Sequence, residues 1–504
     1  MPGESDHLSV STTPTQAPPA DASPPVPPQA RRHAIGAATA ASISGLMFGW
    51  DAMSLNVVKS ALGFHTGAGP GMLGFAIAFG VLSAVLGAFL SGRLSDRVGR
   101  RTIMVVAAVL FIVSSVGTAF IGSSMAMFLF WRLFSGMAMG AAMTIAPAYI
   151  SETSPAQMRG MLVSLRQFML IIGLFVCGLL GEAMLGAAPD PGGDRPLSTS
   201  QLPMLGLSLE VWQWAFLSVA VGGVIYLVAS LLIPESPRYL IAHGRIERAR
   251  EVLARTVGEH AVDDRIGEIS QSLKSGAKGG GFKSLLSRSG SRIQRIVWIG
   301  IGLAALQQLV GINAIFYYAT TIFSTLGFDA QDALQKTLIL TAVKIAAIVT
   351  GMLLIDRIGR RPLLMWGSIF MFAALVVTAL TMLTAPQVDG APDLANSPIR
   401  AVLALVALCL YVFAYAGTWG PIMWVLIGEM FPNRMRGAAT SVAGGVEWMS
   451  NFAVTLTFPV LAVWSIGSTY SIYAAVALLS IFFVWKLVPE TKGLELEQMD
   501  KFAD

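Results

Sequence analysis

The feature that most limits how this chain can fold is a series of long apolar runs separated by short polar stretches. An apolar run of about 20 residues is long enough to cross a lipid bilayer as a helix. Twelve such runs can be counted, at approximately 34–57, 70–92, 102–122, 125–149, 160–184, 211–233, 294–324, 334–355, 362–384, 399–428, 435–464 and 468–488. A membrane β-barrel shows short segments of alternating polarity instead. The pattern therefore predicts an all-α membrane protein with twelve transmembrane helices.

Three polar fragments occur twice in the chain, in the same order. The repeated pairs are SDRVGRR at 95–101 and IDRIGRR at 355–361, ETSPAQMRG at 152–160 and EMFPNRMRG at 429–437, and, more loosely, PESPR at 234–238 and PETKG at 489–493. The duplication predicts two pseudo-symmetric six-helix bundles with charged loops on one side. Two such halves can rock against one another around a central site, which is an architecture typical of membrane transporters.

The composition divides the chain into five parts. They are an N-terminal tail at 1–32, a first bundle at 33–233, a helical linker at 234–291, a second bundle at 292–488 and a C-terminal tail at 489–504. The N-terminal tail is rich in Pro, Ser, Thr and Ala and has no apolar core, so we expect disorder rather than a signal peptide. Within the linker, apolar residues recur at helical spacing over 246–257 and 262–273, which predicts two amphipathic helices.

The positive residues indicate the orientation in the membrane. Arg is concentrated in the loops at 93–101, 234–295, 356–361 and 430–437. The opposite loops carry about one positive residue each, namely Lys59, Arg195, Lys336 and Arg400. The basic loops and both termini are therefore expected in the cytoplasm. This bias accounts for the net charge of +5, so the charge does not indicate a nucleic-acid partner. The sequence contains no N-glycosylation acceptor, which favours a bacterial inner membrane.

Two charges fall inside apolar runs of the first half. Asp51 lies in the first run, and Arg132 begins the fourth. A charge in the hydrocarbon region costs at least ~2.5 kcal/mol, so we expect the two to pair across helices. Burial raises and a nearby Arg lowers the pKa of a carboxyl group, so a small movement can switch its protonation, as proton coupling requires. The alternative is a static ion pair that only fixes helix packing.

Amide side chains cluster in the seventh run. Gln307, Gln308 and Asn313 each donate and accept hydrogen bonds, as the hydroxyl groups of a sugar or polyol do. Positions 307, 310, 311, 314 and 318 would share one helix face, which includes Tyr318. Gln167 of the fifth run and Trp424 of the tenth complete the predicted site, where the indole stacks on a sugar ring. The alternative is that the amides only join helices.

The second half carries two unexpected charges, Lys344 in the eighth run and Glu447 in the eleventh. They could neutralise one another. Helix-weakening residues in the same half predict interruptions next to a cavity, and their positions are Gly311, Gly417, Gly420–Pro421 and Gly444–Gly445. Cys177 and Cys409 both lie in apolar runs, so the chain has no disulfide framework or cysteine metal site.

At this point the sequence resembles the sugar porter family of the major facilitator superfamily. The resemblance covers about 34–493 and rests on both DRxGRR loops, PESPR at 234–238, QQLVGIN at 307–313, GPIMW at 420–424 and PETKG at 489–493. It implies the major facilitator fold. It implies sugar contacts at Gln167, Gln307, Gln308, Asn313, Tyr318, Lys344, Trp424, Glu447 and Asn451, with proton coupling at Asp51 and Arg132.

The resemblance also implies an intracellular gate made of the repeated loop charges. Its residues are Arg100, Arg101, Glu152, Arg159, Glu235, Arg238, Asp356, Arg360, Arg361, Glu429, Arg436 and Glu490. This network resembles a latch that holds the halves together when the site faces outward. Lys344 stands where family members tend to have Asn, and Glu447 where they tend to have Gln or Asn. These two departures leave the identity of the sugar open.

The sequence therefore predicts a monomeric membrane carrier that takes up a monosaccharide or polyol with a proton by alternating access. The first alternative is passive facilitation, in which Asp51 is a packing residue. The second is a receptor that binds sugar without transport, although only about sixteen residues follow the last run. No nucleophile–base set, metal cluster or phosphate loop is visible in the sequence, so we expect no enzyme activity and no cofactor apart from the coupled proton.

Overall fold

The computed structural model describes residues 27–155, 158–193, 195–276, 285, 293–326, 328–388, 391–392, 394, 397–431 and 435–491. The first half consists of α1 Pro28–Thr66, α2 Pro70–Val98, α3 Arg100–Ala119, α4 Met125–Thr153, α5 Arg159–Ala187 and α6 Val211–Leu232. The linker contains α7 Pro237–Ala242, α8 Ile246–Thr256 and α9 Val262–Gly276. The second half consists of α10 Arg295–Leu309, α11 Ile312–Tyr317, α12 Ala319–Thr325, α13 Ala330–Ile358, α14 Arg360–Leu383, α15 Pro398–Ala414, α16 Gly420–Met430 and α17 Arg436–Leu487.

These helices supply the twelve predicted spans. Ten stretches of the described chain are long and apolar enough to cross a membrane. One of them, α17, contains two spans, because its backbone bends sharply at Ser465 (φ −169°, ψ 114°). The twelfth is α1, whose polar residues Ser42, Ser44, Ser54 and Asn56 are buried against other helices rather than exposed to lipid. The predicted all-α, twelve-span architecture is therefore present.

Helix ends follow ordinary capping chemistry. The hydroxyl of Ser124 accepts a hydrogen bond from Met127 N at the start of α4, and the carboxylate of Asp329 accepts one from Asp332 N at the start of α13. Such caps satisfy backbone donors that have no partner inside the helix. Several other helices, including α1, α2 and α15, begin with Pro, whose missing N–H is no loss there.

The duplicated sequence folds into a duplicated corner. α2 and α3 meet at Gly99, and α13 and α14 meet at Gly359, with φ values of 101° and 103°. Non-glycine residues rarely adopt this conformation. A Cβ atom at Gly99 would also lie 2.2 Å from the carboxylate of Glu235, and one at Gly359 would lie 2.9 Å from that of Glu490. We call the end of the bundle that holds these two corners the basic end, and the other end the opposite end.

Helices of the first half approach one another closely where small residues meet. A Cβ at Gly140 of α4 would lie 1.9 Å from the carbonyl oxygen of Ala84 in α2, and one at Gly87 would lie 2.1 Å from that of Met137. This close packing of α2 and α4 matches the use of small residues at helix interfaces in membranes. It holds α4, and with it Arg132, against α1 and α2.

The linker helices form a small core of their own at the basic end. Tyr239, Leu240 and Ile241 of α7 pack with Ala249 and Val252 of α8 and with Ile269 of α9. α8 also contacts α1. The two amphipathic linker helices predicted from the sequence are therefore present as α8 and α9, preceded by the short α7.

Several details differ from the sequence-based expectations. α1 begins at Pro28, so residues 28–32 are helical although they were assigned to the disordered tail; residues 1–26 lie outside the described part. Gly444–Gly445 lies within continuous helix, because glycine keeps its backbone hydrogen bonds there. Two hairpins at the opposite end were not predicted, β1 Gln201–Met204 with β2 Leu207–Glu210 and β3 Gln387–Val388 with β4 Ala391–Pro392.

Candidate functional site

The first half contains a buried ion pair between α1 and α4. Arg132 Nη1 donates to both carboxylate oxygens of Asp51, at 3.1 Å from Oδ1 and 2.9 Å from Oδ2. Each residue is 3% exposed. A Cβ at Gly80 of α2 would lie 2.3 Å from the guanidinium group, so glycine makes the space for it. The predicted pairing across helices is present, and it places an ionisable carboxylate at the centre of the first half.

The second half contains the predicted amides, and they bond to one another. Gln307 Nε2 donates to the carbonyl oxygens of Trp419 and Gly420, at 3.2 and 3.3 Å. Gln308 Nε2 lies 3.4 Å from Gln307 Oε1, and Asn313 Nδ2 donates to Gln308 Oε1 at 2.6 Å. We call Gln307, Gln308 and Asn313 the amide cluster.

The amide cluster depends on a break in the seventh span. Gly311 separates α10 from α11 in the left-handed conformation (φ 89°), and a Cβ there would lie 2.5 Å from the ring of Tyr473. The turn brings Asn313 back onto Gln308, five residues earlier. The predicted interruption at Gly311 is correct. The single helix face through 307, 310, 311, 314 and 318 is wrong, because the helical phase is lost at the turn.

The tenth span is interrupted as predicted at Gly417 and Gly420–Pro421. A π-helical turn, Tyr415–Trp419, joins α15 to α16. Such turns occur often at functional sites because they displace the backbone locally. Here Gln307 donates to the carbonyl groups of Trp419 and Gly420 next to this turn, so the two interrupted spans are joined at the amide cluster.

α17 brings Glu447 and Asn451 to the amide cluster. Gln308 Nε2 donates to Glu447 Oε1 at 3.1 Å. Asn451, one helical turn after Glu447, accepts through Oδ1 a hydrogen bond from Thr455 Oγ1 at 3.2 Å. Both predicted residues of the eleventh span therefore lie at or next to the amides.

The predicted neutralisation of Lys344 by Glu447 is not observed. Lys344 Nζ lies 4.1 Å from the centroid of the Phe316 ring, a cation–π contact. Glu447 instead interacts electrostatically with Arg166 of α5, which belongs to the first half. Arg166 Nη1 also contacts Met143 Sδ at 2.8 Å. We call the space bounded by the amide cluster, Glu447 and Arg166 the central chamber.

Three other predicted contacts lie around this region. Tyr318 is buried; its hydroxyl donates to the Thr455 carbonyl at 2.9 Å, its ring stacks on Phe458, and it lines a cavity at the opposite end. Trp424 is 38% exposed and lies beside Gly444. Gln167 is partly exposed on α5. No hydrogen bond in the described part of the chain joins any of these three to the amide cluster.

The repeated loop charges form one cluster in each half. In the first half, Arg100 Nε lies 3.1 Å from Glu152, and Glu235 accepts from the backbone N–H groups of Arg100 and Arg101 at 2.9 and 3.1 Å. Ser236 donates to Glu152. Arg238 is partly exposed at the start of α7.

The second half repeats this arrangement closely. Arg360 Nη2 lies 2.9 Å from Glu429, and Glu490 accepts from the backbone N–H groups of Arg360 and Arg361 at 3.1 and 3.0 Å. Thr491 donates to Glu429, as Ser236 does to Glu152. The side chains of Arg159, Asp356 and Arg436 lie outside the described part of the chain. The hydrogen bonds and ion pairs given above each lie within one half.

The two halves are joined at the opposite end. Asn56 Nδ2 of α1 donates to the Phe316 carbonyl at 2.8 Å, Lys59 Nζ lies 3.4 Å from the Tyr317 carbonyl, and Gln335 donates to Glu182 at 2.9 Å. Thr320 also bonds to Asn56 at this end.

The partly exposed polar residues around the amide cluster are separate from the cavity at the opposite end. Gln167, Asn313 and Glu447 keep partial exposure, yet none of them lines the opposite-end cavity of about 940 Å³. The described hydrogen bonds between the halves thus lie at the opposite end, whereas those given for the basic-end clusters join residues of the same half.

Comparison with known proteins agrees with this geometry. A family model described as sugar (and other) transporter matches residues 37–502. The chain belongs to this sugar transporter family. The family consists of membrane transporters and not of enzymes, which confirms the resemblance and the fold class derived from the sequence.

Individual members of the sugar transporter family are similar along nearly their whole length. A glucose transport protein of Synechocystis is 41% identical over 460 residues, 91% of this chain and 95% of that protein. A D-xylose-proton symporter of Escherichia coli is 32% identical over 494 residues, 91% of this chain and 94% of that protein. The inward-open conformation of the xylose transporter XylE from E. coli superposes with a TM-score of 0.75 at 29% identity, covering 93% of this chain and 99% of that chain.

Sequence reasoning missed the residues that join the halves. Lys59 was assigned to a loop, but α1 continues to Thr66 and buries Lys59 to 9% exposure. Lys336 and Arg400 likewise lie within α13 and α15. Asn56 was not predicted as a contact between the halves, although an amide inside an apolar run is a signal of a helix–helix contact.

Proposed function

We propose that this chain is a secondary active transporter that carries a monosaccharide or polyol together with a proton by alternating access. The observation that carries the proposal is the presence, in one molecule, of a buried Asp51–Arg132 ion pair in the first bundle and of a partly exposed amide cluster in the second. The similarity to a glucose transport protein and to a D-xylose-proton symporter supports both the substrate class and the coupling ion.

The sugar binds in the central chamber. Amide groups can both donate to and accept from hydroxyl groups, so Gln308 and Asn313 suit a polyhydroxylated ligand. We assign the remaining predicted contacts, Gln167, Trp424 and Lys344, to the walls that approach the ligand when the halves close. A ligand drives this closure only if it binds the closed state more tightly than the open ones.

The proton binds at Asp51. When Asp51 is ionised, it holds Arg132 through two hydrogen bonds and fixes α4 to α1. Protonation removes the charge from one partner of a buried pair and so weakens its hold on the other. α1 also carries Asn56 and Lys59, which join the halves at the opposite end. A change at Asp51 is thus transmitted to the contacts that open and close the site.

The basic end lies in the cytoplasm, together with both termini, by the distribution of Arg. The described hydrogen bonds between the halves then lie on the outer side of the membrane. In the outward-open state we expect the clusters around Arg100 and Arg360 to approach each other and act as the intracellular latch, with Arg159, Asp356 and Arg436 as further members. Each pair is weak alone, and the network acts as a group. The protein needs no cofactor apart from the proton, and we expect a monomer in a bacterial inner membrane.

Uptake of a radiolabelled panel of hexoses, pentoses and polyols into proteoliposomes tests this function. A symporter accumulates one of these above its external concentration when a pH gradient is imposed, and a protonophore abolishes the accumulation. Equal uptake with and without the protonophore would make the protein a passive facilitator. Binding without counterflow would make it a receptor.

A further inference from the structure

A separate cavity of about 580 Å³ lies at the basic end, between the first bundle and the linker. Its walls come from the start of α3, the end of α6 and one face of α8. α3 and α6 are both long and apolar enough to cross a membrane, and they pack against each other. The cavity therefore lies at the membrane boundary. We call it the linker cavity; its charged lining residues are Arg101, Glu235, Arg245, Arg248, Glu251 and Arg255.

The charged groups on the bundle side of the linker cavity already have partners. Arg101 donates through Nε and Nη2 to the carbonyl oxygens of Ser230 and Leu231 at the end of α6. Glu235 accepts from the backbone N–H groups of Arg100 and Arg101. These bonds join the start of α3 to the end of α6, so this wall is fixed without a ligand.

The arginines on the linker side have no such partners. Arg245, Arg248 and Arg255 are exposed, and within the described part of the chain their side chains form no hydrogen bond or ion pair. The three share one face of α8, because they follow one another at intervals of three and seven residues. Glu251 on the same face forms no ion pair with any of them. Like charges on one helix face repel one another, so an anion between them is stabilising.

The linker cavity also has an apolar side. Val106 of α3 and Leu231 of α6 line it, and each is about half exposed. Further exposed apolar side chains continue from these two at helical spacing, away from the basic end: Val109, Val113 and Val116 on α3, and Val228, Ile225, Val224 and Val221 on α6. A soluble anion has no group to place against this surface, whereas a lipid has its acyl chains.

We propose that the linker cavity binds one anionic phospholipid, with its phosphate among the three arginines of α8 and its acyl chains along the apolar surface of α3 and α6. Guanidinium groups bond in pairs to phosphate oxygens. Basic side chains beside a bilayer attract anionic headgroups. Such a lipid attaches the linker to the membrane face of the first bundle. The proposal goes beyond the proposed function and does not depend on the transported solute or the coupling ion.

Native mass spectrometry of the purified full chain in detergent tests this site. The probes are phosphatidylglycerol and phosphatidylcholine with identical acyl chains, which differ in net charge, and glycerol 3-phosphate, which has a phosphate but no acyl chain. In the wild type, we expect one phosphatidylglycerol to bind at least about tenfold more tightly than phosphatidylcholine. Glycerol 3-phosphate should not displace it.

Two variants that remove the same number of charges separate the cavity from the basic surface as a whole. The cavity variant combines Arg245→Gln, Arg248→Gln and Arg255→Gln, and its preference for phosphatidylglycerol should fall to about twofold or less. The control variant combines Arg31→Gln, Arg32→Gln and Arg295→Gln. These three arginines are exposed at the starts of α1 and α10, outside the cavity, and their loss should leave the preference at the wild-type value.

Four results would overturn the proposal. They are equal binding of the two lipids by the wild type, an unchanged preference in the cavity variant, an equal loss of preference in the control variant, and displacement of the lipid by glycerol 3-phosphate. The third would assign the preference to general basic charge, and the fourth would make the cavity a site for a soluble phosphate ester. Each preference compares two lipids on one variant, so a loss of folded protein does not alter it.

Discussion

The two halves of the molecule are nearly identical at the basic end and unlike at the centre of the membrane. The first-half cluster of Arg100, Glu152 and Glu235 corresponds to the second-half cluster of Arg360, Glu429 and Glu490. In each cluster the last carboxylate, Glu235 or Glu490, accepts hydrogen bonds from the backbone N–H groups of two consecutive arginines. At the centre, the first half has a closed ion pair, whereas the second has a chain of amides with unused acceptors.

This difference distinguishes the residues that shape the helix corners from the residues that can bind a proton or a ligand. Both halves need the same sharp corner between helices, which a left-handed glycine and a capping carboxylate provide twice. Only one half needs to hold an ionisable pair, and only one needs polar groups free for a ligand. Repetition within the sequence therefore marks the parts that move as rigid bodies, and its loss marks the functional groups.

The largest expected effect comes from removing the carboxylate of the Asp51–Arg132 ion pair, which has no counterpart in the second half. In Asp51→Asn we expect accumulation against a gradient to be abolished while sugar exchange persists, because the site in the second half is unchanged. Exchange also shows that the variant is folded, although an unpaired buried Arg132 lowers its stability. The measurement is uptake with and without a pH gradient, compared with Asp264→Asn, which alters an exposed linker residue. Full accumulation by Asp51→Asn would contradict the coupling role.

The next effect comes from the chain of amides that only the second half has. Gln308→Ala removes the member that bonds to Gln307, Asn313 and Glu447. We expect sugar affinity to fall by about tenfold or more, because acceptors and donors on both sides lose their partner. Gln201→Ala in the exposed β1 strand is the matched control and should bind normally. An unaltered affinity in Gln308→Ala would remove this residue from the site.

The repeated clusters should respond alike. Arg100→Ala and Arg360→Ala each remove the arginine partner of a partly buried carboxylate, so each should lower the free energy of unfolding by about 1–3 kcal/mol. Arg100→Ala should be the more severe of the two, because the Glu152 side chain is 13% exposed and that of Glu429 is 32% exposed. Thermal unfolding in detergent measures both, with Arg250→Ala of an exposed linker pair as control. Opposite effects of the two variants would show that the clusters are not equivalent.

The smallest effect is expected at the contact between the halves. Asn56→Ala removes a hydrogen bond to the Phe316 carbonyl, worth about 1–2 kcal/mol, and should shift the population towards the form that is open at the opposite end. Spin labels at the exposed positions Leu205 and Ile399, with Cys177 and Cys409 replaced by Ser, report the distance between the halves there. A distance distribution unchanged by Asn56→Ala would mean that this contact does not hold the opposite end closed.

Much of this comparison could be predicted from the sequence. Apolar runs of membrane-spanning length predict the twelve spans, because a chain segment in lipid has to satisfy its own backbone hydrogen bonds and a helix does so. The repeated loops predict the basic-end clusters, since similar motifs form similar corners. The pairing of Asp51 with Arg132 follows from the cost of a lone charge in the bilayer.

Other features depend on partners that sequence spacing does not specify. Asn313 bonds to Gln308 because Gly311 turns the chain between them. Helical spacing in the sequence assumes a continuous helix, so it does not predict a contact made across a left-handed turn. Glu447 interacts with Gln308 and Arg166 rather than with Lys344, because the relative rotation of α10, α13 and α17 decides which side chains meet. The same holds for Lys59, whose burial depends on how far α1 continues.

The most direct test of the central claim is the movement of protons when sugar is added to proteoliposomes that have no imposed gradient. For the wild type, we predict that addition of the transported sugar drives protons into the vesicles with the sugar, seen as alkalinisation outside. In Asp51→Asn the same sugar should exchange across the membrane without moving protons. Sugar transport by the wild type without proton movement, or equal proton movement in Asp51→Asn, would contradict the assignment of coupling to the Asp51–Arg132 pair.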